Sequence, residues 1–255
     1  MNVAHRQRIG RAFGSAAGYD DHAHIQRKVA ERLANRIAAL SLPENPRILE
    51  IGCGTGFLTR ALADRGLRGD WLVTDISPDM VDRCRTLLGE DGGRRFAVLD
   101  GEHGIAAGSG YDLICSSLAM QWFDNQRAAL GRMLAALAPG GHCLFTTLSS
   151  GTFAEWRDAH RAVGLFAGTP RFAPVAALAA MHPDAYERTL VERLVEHHGN
   201  AMEFLRSLKS IGAHTPASNH RPLSPSELRR VMAAFEASGS AVTYEVVTCH
   251  YRRPE

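Results

Sequence analysis

The chain has 255 residues, of which 45% are hydrophobic and 22% charged, a composition that supports one large buried core and excludes a disordered protein. A formal net charge of +2 gives no general case for nucleic-acid binding, and no apolar run approaches the roughly 20 residues that span a bilayer. The N-terminus is basic and polar and lacks the apolar stretch of a signal peptide, so we expect a single cytoplasmic domain without a membrane or nucleic-acid partner.

The cysteines and histidines do not form a metal-binding pattern. The five cysteines are scattered along the chain without a Cys-x-x-Cys pair. The closest histidine pairs, His22 with His24 and His197 with His198, have no cysteine or carboxylate partner at zinc-ligand spacing. We therefore expect reduced cysteines in the core and no metal ion.

A regular alternation of helices and strands begins near residue 20. Apolar residues four apart predict an amphipathic helix over residues 20–40; they are Ile25, Val29, Leu33 and Ile37. Strands are predicted at 47–51, 71–75, 95–100, 111–116, 142–148 and 241–250. Helices between the strands imply a doubly wound α/β fold with a mostly parallel sheet, in which ligands bind at the carboxyl ends of the strands.

The pattern changes after Ser150. Helical stretches are predicted near 152–166 and 200–210, and a capping box from Ser224 to Glu227 begins a further helix. We interpret residues 150–238 as helical cap insertions around the last strands. The single domain then consists of an N-terminal lid and helix (1–40), a core (47–148) and this cap.

A glycine loop and two aspartates indicate a nucleotide-like cofactor. Gly52, Gly54 and Gly56 directly follow the first strand, where their backbone can pass close to a ligand. The third glycine of a dinucleotide fingerprint would fall at Phe57, which argues against NAD and FAD. Asp75 ends the second strand, where a carboxylate accepts from ribose hydroxyls, and Asp100 ends the third, where it accepts from an adenine amino group or simply caps a turn.

These residues resemble a known motif series. The run from Glu50 to Gly56, Asp75, Asp100 and the turn at 139–141 are similar to the class I S-adenosylmethionine-dependent methyltransferases, which have a seven-stranded sheet. The resemblance implies that the glycine loop contacts the methionine part of the cofactor and that Asp75 holds its ribose. The residues it implies for the cofactor are Tyr19, Glu50, Gly52, Gly54, Gly56, Asp75, Ile76, Met80, Asp100, Gly101, Ser116 and Ser117.

A narrower resemblance extends over nearly the whole chain. The segments 13–19, 22–26, 116–122 and 207–213 resemble the malonyl-(acyl-carrier protein) O-methyltransferases of early biotin synthesis. The last segment, Ser-Leu-Lys-Ser-Ile-Gly-Ala, is the most specific because it lies outside the cofactor core. This resemblance implies methylation of the free carboxylate of a malonyl group, carried on acyl-carrier protein or on coenzyme A.

The resemblance also directs attention to residues for the acceptor. We expect Tyr19 and Trp122 to form a lid and a wall, although an aromatic residue is often plain core. A cation is expected to hold the malonyl carboxylate, with Lys209 the first choice and Arg171 the second; both could be surface charges. Residues 1–36 carry seven Arg or Lys against three acids, which suits docking of an acidic carrier protein.

Other functions remain open at this level. A methyltransferase for another small carboxylate, a quinone or a phenol would share every cofactor residue and differ in the cap. A protein that binds the cofactor without catalysis would also share the fold, although the complete glycine loop and Asp75 count against it.

Overall fold

Seven strands form one sheet in the computed structural model, which describes residues 23–90, 93–210 and 221–255. The strands are β1 (Arg47–Ile51), β2 (Asp70–Asp75), β3 (Arg94–Val98), β4 (Tyr111–Ser117), β5 (Leu137–Leu148), β6 (Tyr186–His197) and β7 (Ala241–Arg252). Their order is β3-β2-β1-β4-β5-β7-β6, with β7 antiparallel to both of its neighbours and the other pairs parallel. The predicted fold class is confirmed.

The helices pack on both faces of this sheet. They are α1 (His24–Ala38), α2 (Phe57–Asp64), α3 (Pro78–Leu88), α4 (Gln126–Ala136), α5 (Ala154–Ala162), α6 (Val175–Ala179), α7 (Ala201–Ser210) and α8 (Pro225–Ala237). The apolar stripe predicted for α1 is buried, and Leu33 and Ile37 are fully enclosed. The capping box at Ser224 and Glu227 forms as predicted at the start of α8. None of the described helices is long and apolar enough to cross a membrane.

Three apolar clusters form the core. Two lie against the central strands, and the third joins β7 to helices α5, α7 and α8 of the cap. In the third cluster the ring of Phe153 lies 5.1 Å from that of Tyr244 and 5.8 Å from that of Phe204, centroid to centroid, in edge-to-face geometry. The cap is therefore packed on the sheet by aromatic side chains. All five cysteines are buried and free.

The structure differs from the predicted elements at three places. Strand β5 begins at Leu137, before the Pro-Gly-Gly turn, because Leu137 pairs with Tyr111 across an irregularity in the ladder. Strand β3 ends at Val98, so Asp100 lies in the loop beyond it. Strand β6 was not predicted; it lies inside the stretch 150–238, which therefore contains a sheet strand as well as cap helices.

Candidate active site

A cavity opens at the carboxyl ends of the central strands. It has a volume of about 160 Å³ and is lined by the glycine loop after β1, the ends of β2 and β4, and residues of α1 and the cap. The strand order reverses between β1 and β4, which is the position where open α/β sheets bind their ligands. The cavity has two chemically different ends.

The glycine loop forms the floor of the first end. The backbone of Gly52 has a φ of +71°, and a Cβ added there would lie 2.4 Å from the Cβ of Ala119. Only glycine lets the loop approach the segment after β4 so closely. Gly54 lines the cavity next to it, whereas Gly56 faces the side chains of Cys84 and Leu88 and does not line the cavity.

Asp75 lies at the centre of this end. Its Oδ2 accepts a hydrogen bond from the Gly54 N–H at 3.0 Å, and its Oδ1 accepts one from the Ser77 N–H at 2.9 Å. Burial raises the pKa of Asp75, and these backbone hydrogen bonds oppose that rise. Since each carboxylate oxygen accepts about two hydrogen bonds, Asp75 retains acceptor capacity for a hydroxyl group of a ligand.

An apolar slot lies beside Asp75 and Asp100. Ile76, Leu99 and Phe123 line it, and Asp100 stands at its edge with Oδ1 accepting from the Glu102 N–H at 2.9 Å. A Cβ added at Gly101 would lie 2.2 Å from Ile51 Cγ2, so glycine is needed for the loop to pack here. This arrangement fits S-adenosylmethionine, the predicted cofactor. The Asp75 carboxylate suits its ribose, and the apolar slot with Asp100 at its edge suits its adenine.

Some predicted cofactor residues lie behind the cavity wall. Met80 and Ser117 line the cavity, but Glu50 and Ser116 are each only 1% exposed and do not. Glu50 Oε2 accepts a hydrogen bond from Thr59 Oγ1 at 2.9 Å, while its Oε1 has no partner among the described residues. Burial raises the pKa of Glu50 to about 8, so a protonated side chain under the loop is favoured at neutral pH.

The second end of the cavity is apolar and aromatic. Its walls come from the segment after β4, the turn before α5, the loop before α6, helix α7 and strand β7; they include Leu118, Gln121, Trp122, Phe153, Phe172, Leu208 and Tyr244. Trp122 is the predicted wall residue and lies there. The sequence analysis did not single out Phe153, Phe172 or Tyr244. Phe153 has a left-handed backbone, with φ of +62°, which a sequence does not show.

Known proteins identify the family of this chain. The model of a methyltransferase-domain family matches residues 22–236. A protein of Magnetococcus marinus named malonyl-(acyl-carrier protein) O-methyltransferase is 41% identical over 250 residues, which cover 96% of this chain and 92% of that protein. The chain belongs to the malonyl-(acyl-carrier protein) O-methyltransferase family. The predicted family, the methyltransferase activity and the cofactor S-adenosylmethionine are confirmed with it.

Two further kinds of relative extend the comparison. The biotin biosynthesis bifunctional protein BioCD of Bordetella avium is 46% identical over 248 residues, and this chain covers 96% of its own length but 52% of that longer protein. Among solved structures, the YcgJ protein from Bacillus subtilis superposes with a TM-score of 0.63 at 14% identity, covering 89% of this chain and 98% of that one. An S-adenosylmethionine-dependent methyltransferase from Mesorhizobium loti gives 0.52 at 19% identity, covering 88% and 98%. The two structures share the fold.

The cations predicted for the acceptor lie outside the cavity. Lys209 and Arg171 are exposed, and neither lines the cavity, although their chain neighbours Leu208 and Phe172 do. Among the described lining residues the charged side chains are Asp75 and Asp100, both at the cofactor end. The structure therefore does not support direct contact of Lys209 or Arg171 with an acceptor in this cavity, because neither side chain forms part of the wall.

Part of the predicted site falls on residues that the structure does not describe. Tyr19 lies outside the described residues, and so do residues 1–22 of the predicted N-terminal lid and helix (1–40). Residues 211–213 of the family-like cap segment also lie outside. The predictions for these residues stay predictions.

Proposed function

We propose that this chain transfers the methyl group of S-adenosylmethionine to the free carboxylate of a malonyl thioester on an acyl-carrier protein, the activity for which its relatives are named. The observation that carries this proposal is the continuous cavity, which joins an end suited to the cofactor to a neutral, aromatic-walled end beneath the cap. Family membership and the two-ended cavity support the same reaction.

Methyl transfer to a carboxylate requires little proton transfer by the protein. S-adenosylmethionine supplies an electrophilic methyl group, and the carboxylate oxygen forms the new C–O bond while the carbon–sulfur bond breaks with its electron pair going to sulfur. A carboxylate of pKa near 4 is already ionised at neutral pH, so no general base is required. The described walls offer no histidine or lysine for that role, which is consistent with a reaction that depends on positioning.

The aromatic end supplies the second contribution, exclusion of water. Phe153, Phe172 and Tyr244 surround the acceptor end with rings that do not hydrogen-bond to a carboxylate. Tyr244 directs its hydroxyl away, towards Glu196 Oε2 at 3.4 Å. Opposite charges meet in the reactants and fade in the transition state, so a dry site raises the reactants relative to the transition state.

Exposed cations next to the wall support docking of an acidic carrier protein. Arg171 lies between two wall residues, and Lys209 follows Leu208. We define Arg171 and Lys209 as the entrance cations. On α1, Arg32 and Arg36 contact Glu192 at 2.6 and 3.9 Å, and Lys28 lies on the face of the helix opposite the wall residues Gln26 and Ala30. Positive charge around the entrance would steer an acidic protein and its acyl arm towards the cavity.

The role of the product follows from its charge. A malonyl methyl ester has lost the carboxylate charge that an apolar acyl-elongation channel excludes, so it can serve as a primer for chain extension. The biotin-related name of the Bordetella avium relative is consistent with such a step in biotin synthesis.

Mass spectrometry of malonyl-carrier protein tests the proposal. After incubation with the enzyme and S-adenosylmethionine, we expect one added methyl group per malonyl-carrier protein. Acetyl-carrier protein, which has no free carboxylate, should gain none. Equally efficient methylation of free malonate, a quinone or a phenol would overturn the assignment of the substrate and leave the cofactor site intact.

A further inference from the structure

Gln121 is a polar residue at the acceptor end of the cavity. Hydrogen bonds hold both the nitrogen and the oxygen of its side-chain amide. Its Nε2 donates a hydrogen bond to the Leu118 carbonyl at 2.7 Å, and its Oε1 accepts a weaker one from Thr147 Oγ1 at 3.4 Å. The carbonyl can only accept, so the nitrogen must face Leu118. Thr147 is fully buried on β5, which keeps water away from this anchor.

The anchors leave one donor unused. A primary amide has two N–H hydrogens, and the described hydrogen bonds of Gln121 use one of them, for the Leu118 carbonyl. Gln121 is half-buried and lines the cavity. The second hydrogen is therefore available on a nitrogen whose position is already fixed.

The backbone at Leu118 is strained in a way that supports this arrangement. Leu118 has a φ of +53°, which is uncommon for a residue other than glycine, and its N–H is held by the Thr146 carbonyl and by Thr146 Oγ1, each at 3.1 Å. Such strain persists only where surrounding contacts impose it, and it concentrates at ligand sites. Here the strained turn places the carbonyl that orients the Gln121 amide.

The acceptor carboxylate needs donors, and the described wall has no cation to offer. We propose that Gln121 binds the carboxylate of the acceptor through the remaining Nε2 hydrogen and orients its oxygen for attack. This inference rests on the proposed function and specifies its acceptor site. A neutral donor fixes the carboxylate without neutralising the charge that makes the oxygen nucleophilic, whereas an ion pair with lysine would stabilise the reactant more than the transition state.

A comparison of affinity for malonyl-carrier protein and for acetyl-carrier protein separates carboxylate binding by Gln121 from a purely structural role. In the presence of S-adenosylhomocysteine, affinity is measured for malonyl-carrier protein and for acetyl-carrier protein, which lacks the carboxylate. Gln121→Met should lower affinity for the malonyl form about tenfold or more and change affinity for the acetyl form less than twofold. Gln121→Glu, similar in size but without the donor, should lower malonyl affinity further through repulsion and again spare the acetyl form.

Gln126→Met provides the matched control. Gln126 also donates from Nε2 to a nearby carbonyl, that of Met120 at 2.9 Å, but it does not line the cavity. The Gln126→Met variant should keep the wild-type preference for malonyl-carrier protein over acetyl-carrier protein. Affinity for S-adenosylhomocysteine, measured in every variant, verifies that the cofactor end is intact.

The outcomes distinguish the inference from the function on which it rests. If the wild-type enzyme methylates malonyl-carrier protein but Gln121→Met and Gln121→Glu keep the wild-type preference, or lose affinity for both carrier proteins equally, Gln121 does not bind the carboxylate. If the wild-type enzyme neither prefers nor methylates malonyl-carrier protein, the proposed function fails and the inference fails with it.

Discussion

Removing the carboxylate of Asp75 is the sharpest test of the cofactor end. Each of its oxygens already accepts one backbone N–H, at 3.0 Å from Gly54 and at 2.9 Å from Ser77, so the carboxylate is held in place before any ligand arrives. Hydrogen bonds to a charged group contribute about 1.5–3 kcal/mol. We therefore expect Asp75→Ala to weaken binding of S-adenosylhomocysteine by that amount, which corresponds to roughly 10-fold to 150-fold in the dissociation constant.

Isothermal titration calorimetry of the folded variant measures this loss. Asp79→Ala is the matched control, because Asp79 is an exposed carboxylate in the first turn of α3, close to the site in sequence and absent from the cavity wall. Thermal unfolding of the variant without ligand measures separately the loss of stability that follows when the Gly54 and Ser77 N–H groups lose their acceptor. A folded Asp75→Ala protein that binds within twofold of the wild type would refute the ribose assignment.

Three further changes test the loop, the buried acid and the entrance. Gly52→Ala places a methyl group 2.4 Å from Ala119 Cβ at a φ of +71°, so urea unfolding should show a loss of about 1–3 kcal/mol; wild-type stability would contradict this. Glu50 has its pKa raised from 4.5 to about 8 on folding, so the wild-type free energy of unfolding should fall as pH rises between those values, and Glu50→Gln should remove that fall. The two proteins would show the same pH dependence if Glu50 were ionised when folded. Arg171→Glu should slow association with malonyl-carrier protein and reduce its salt dependence, and should leave methylation of malonyl-coenzyme A unchanged. The control Arg68→Glu, just before the amino end of β2, should associate as the wild type does; equal effects of the two reversals would contradict the docking role.

Most of the fold could be predicted because its signals are local. The apolar residues of α1 repeat at helical spacing, and the parallel strands are short apolar runs between turns. Strand β6 escaped prediction for a physical reason. Leu190 and Leu194 are four apart, a spacing that also fits a helix, and much of the strand is exposed and charged. Pairing with β7, more than 40 residues further along the chain, decides the conformation.

The two ends of the cavity also differ in how far local sequence signals indicate their lining residues. The positions of Gly52 and Asp75 in the cavity wall could be predicted because each lies at the end of a strand that its own sequence defines. The acceptor walls could not, since Phe153, Phe172 and Tyr244 come from three segments that meet only after the cap packs on the sheet. Gln121 lies inside a recognised segment, but the sequence did not indicate a role for it, because its orientation depends on Thr147 of β5, 26 residues further along the chain.

The entrance cations lie outside the neutral acceptor end of the cavity, and this arrangement has a kinetic consequence. The acceptor end is neutral among its described residues, and the cations stand outside it, so attraction acts before the acceptor enters and not on the reacting carboxylate. Lys209 shows the difference most directly, since it is exposed one residue beyond Leu208 of the wall. A cation that only guides docking changes association, whereas one that orients the attacking oxygen changes turnover. Lys209→Ala should therefore lower kcat/KM for malonyl-carrier protein, increasingly so at low salt, and leave kcat unchanged. A fall in kcat at saturating carrier protein would return Lys209 to the role of carboxylate ligand that the sequence first predicted.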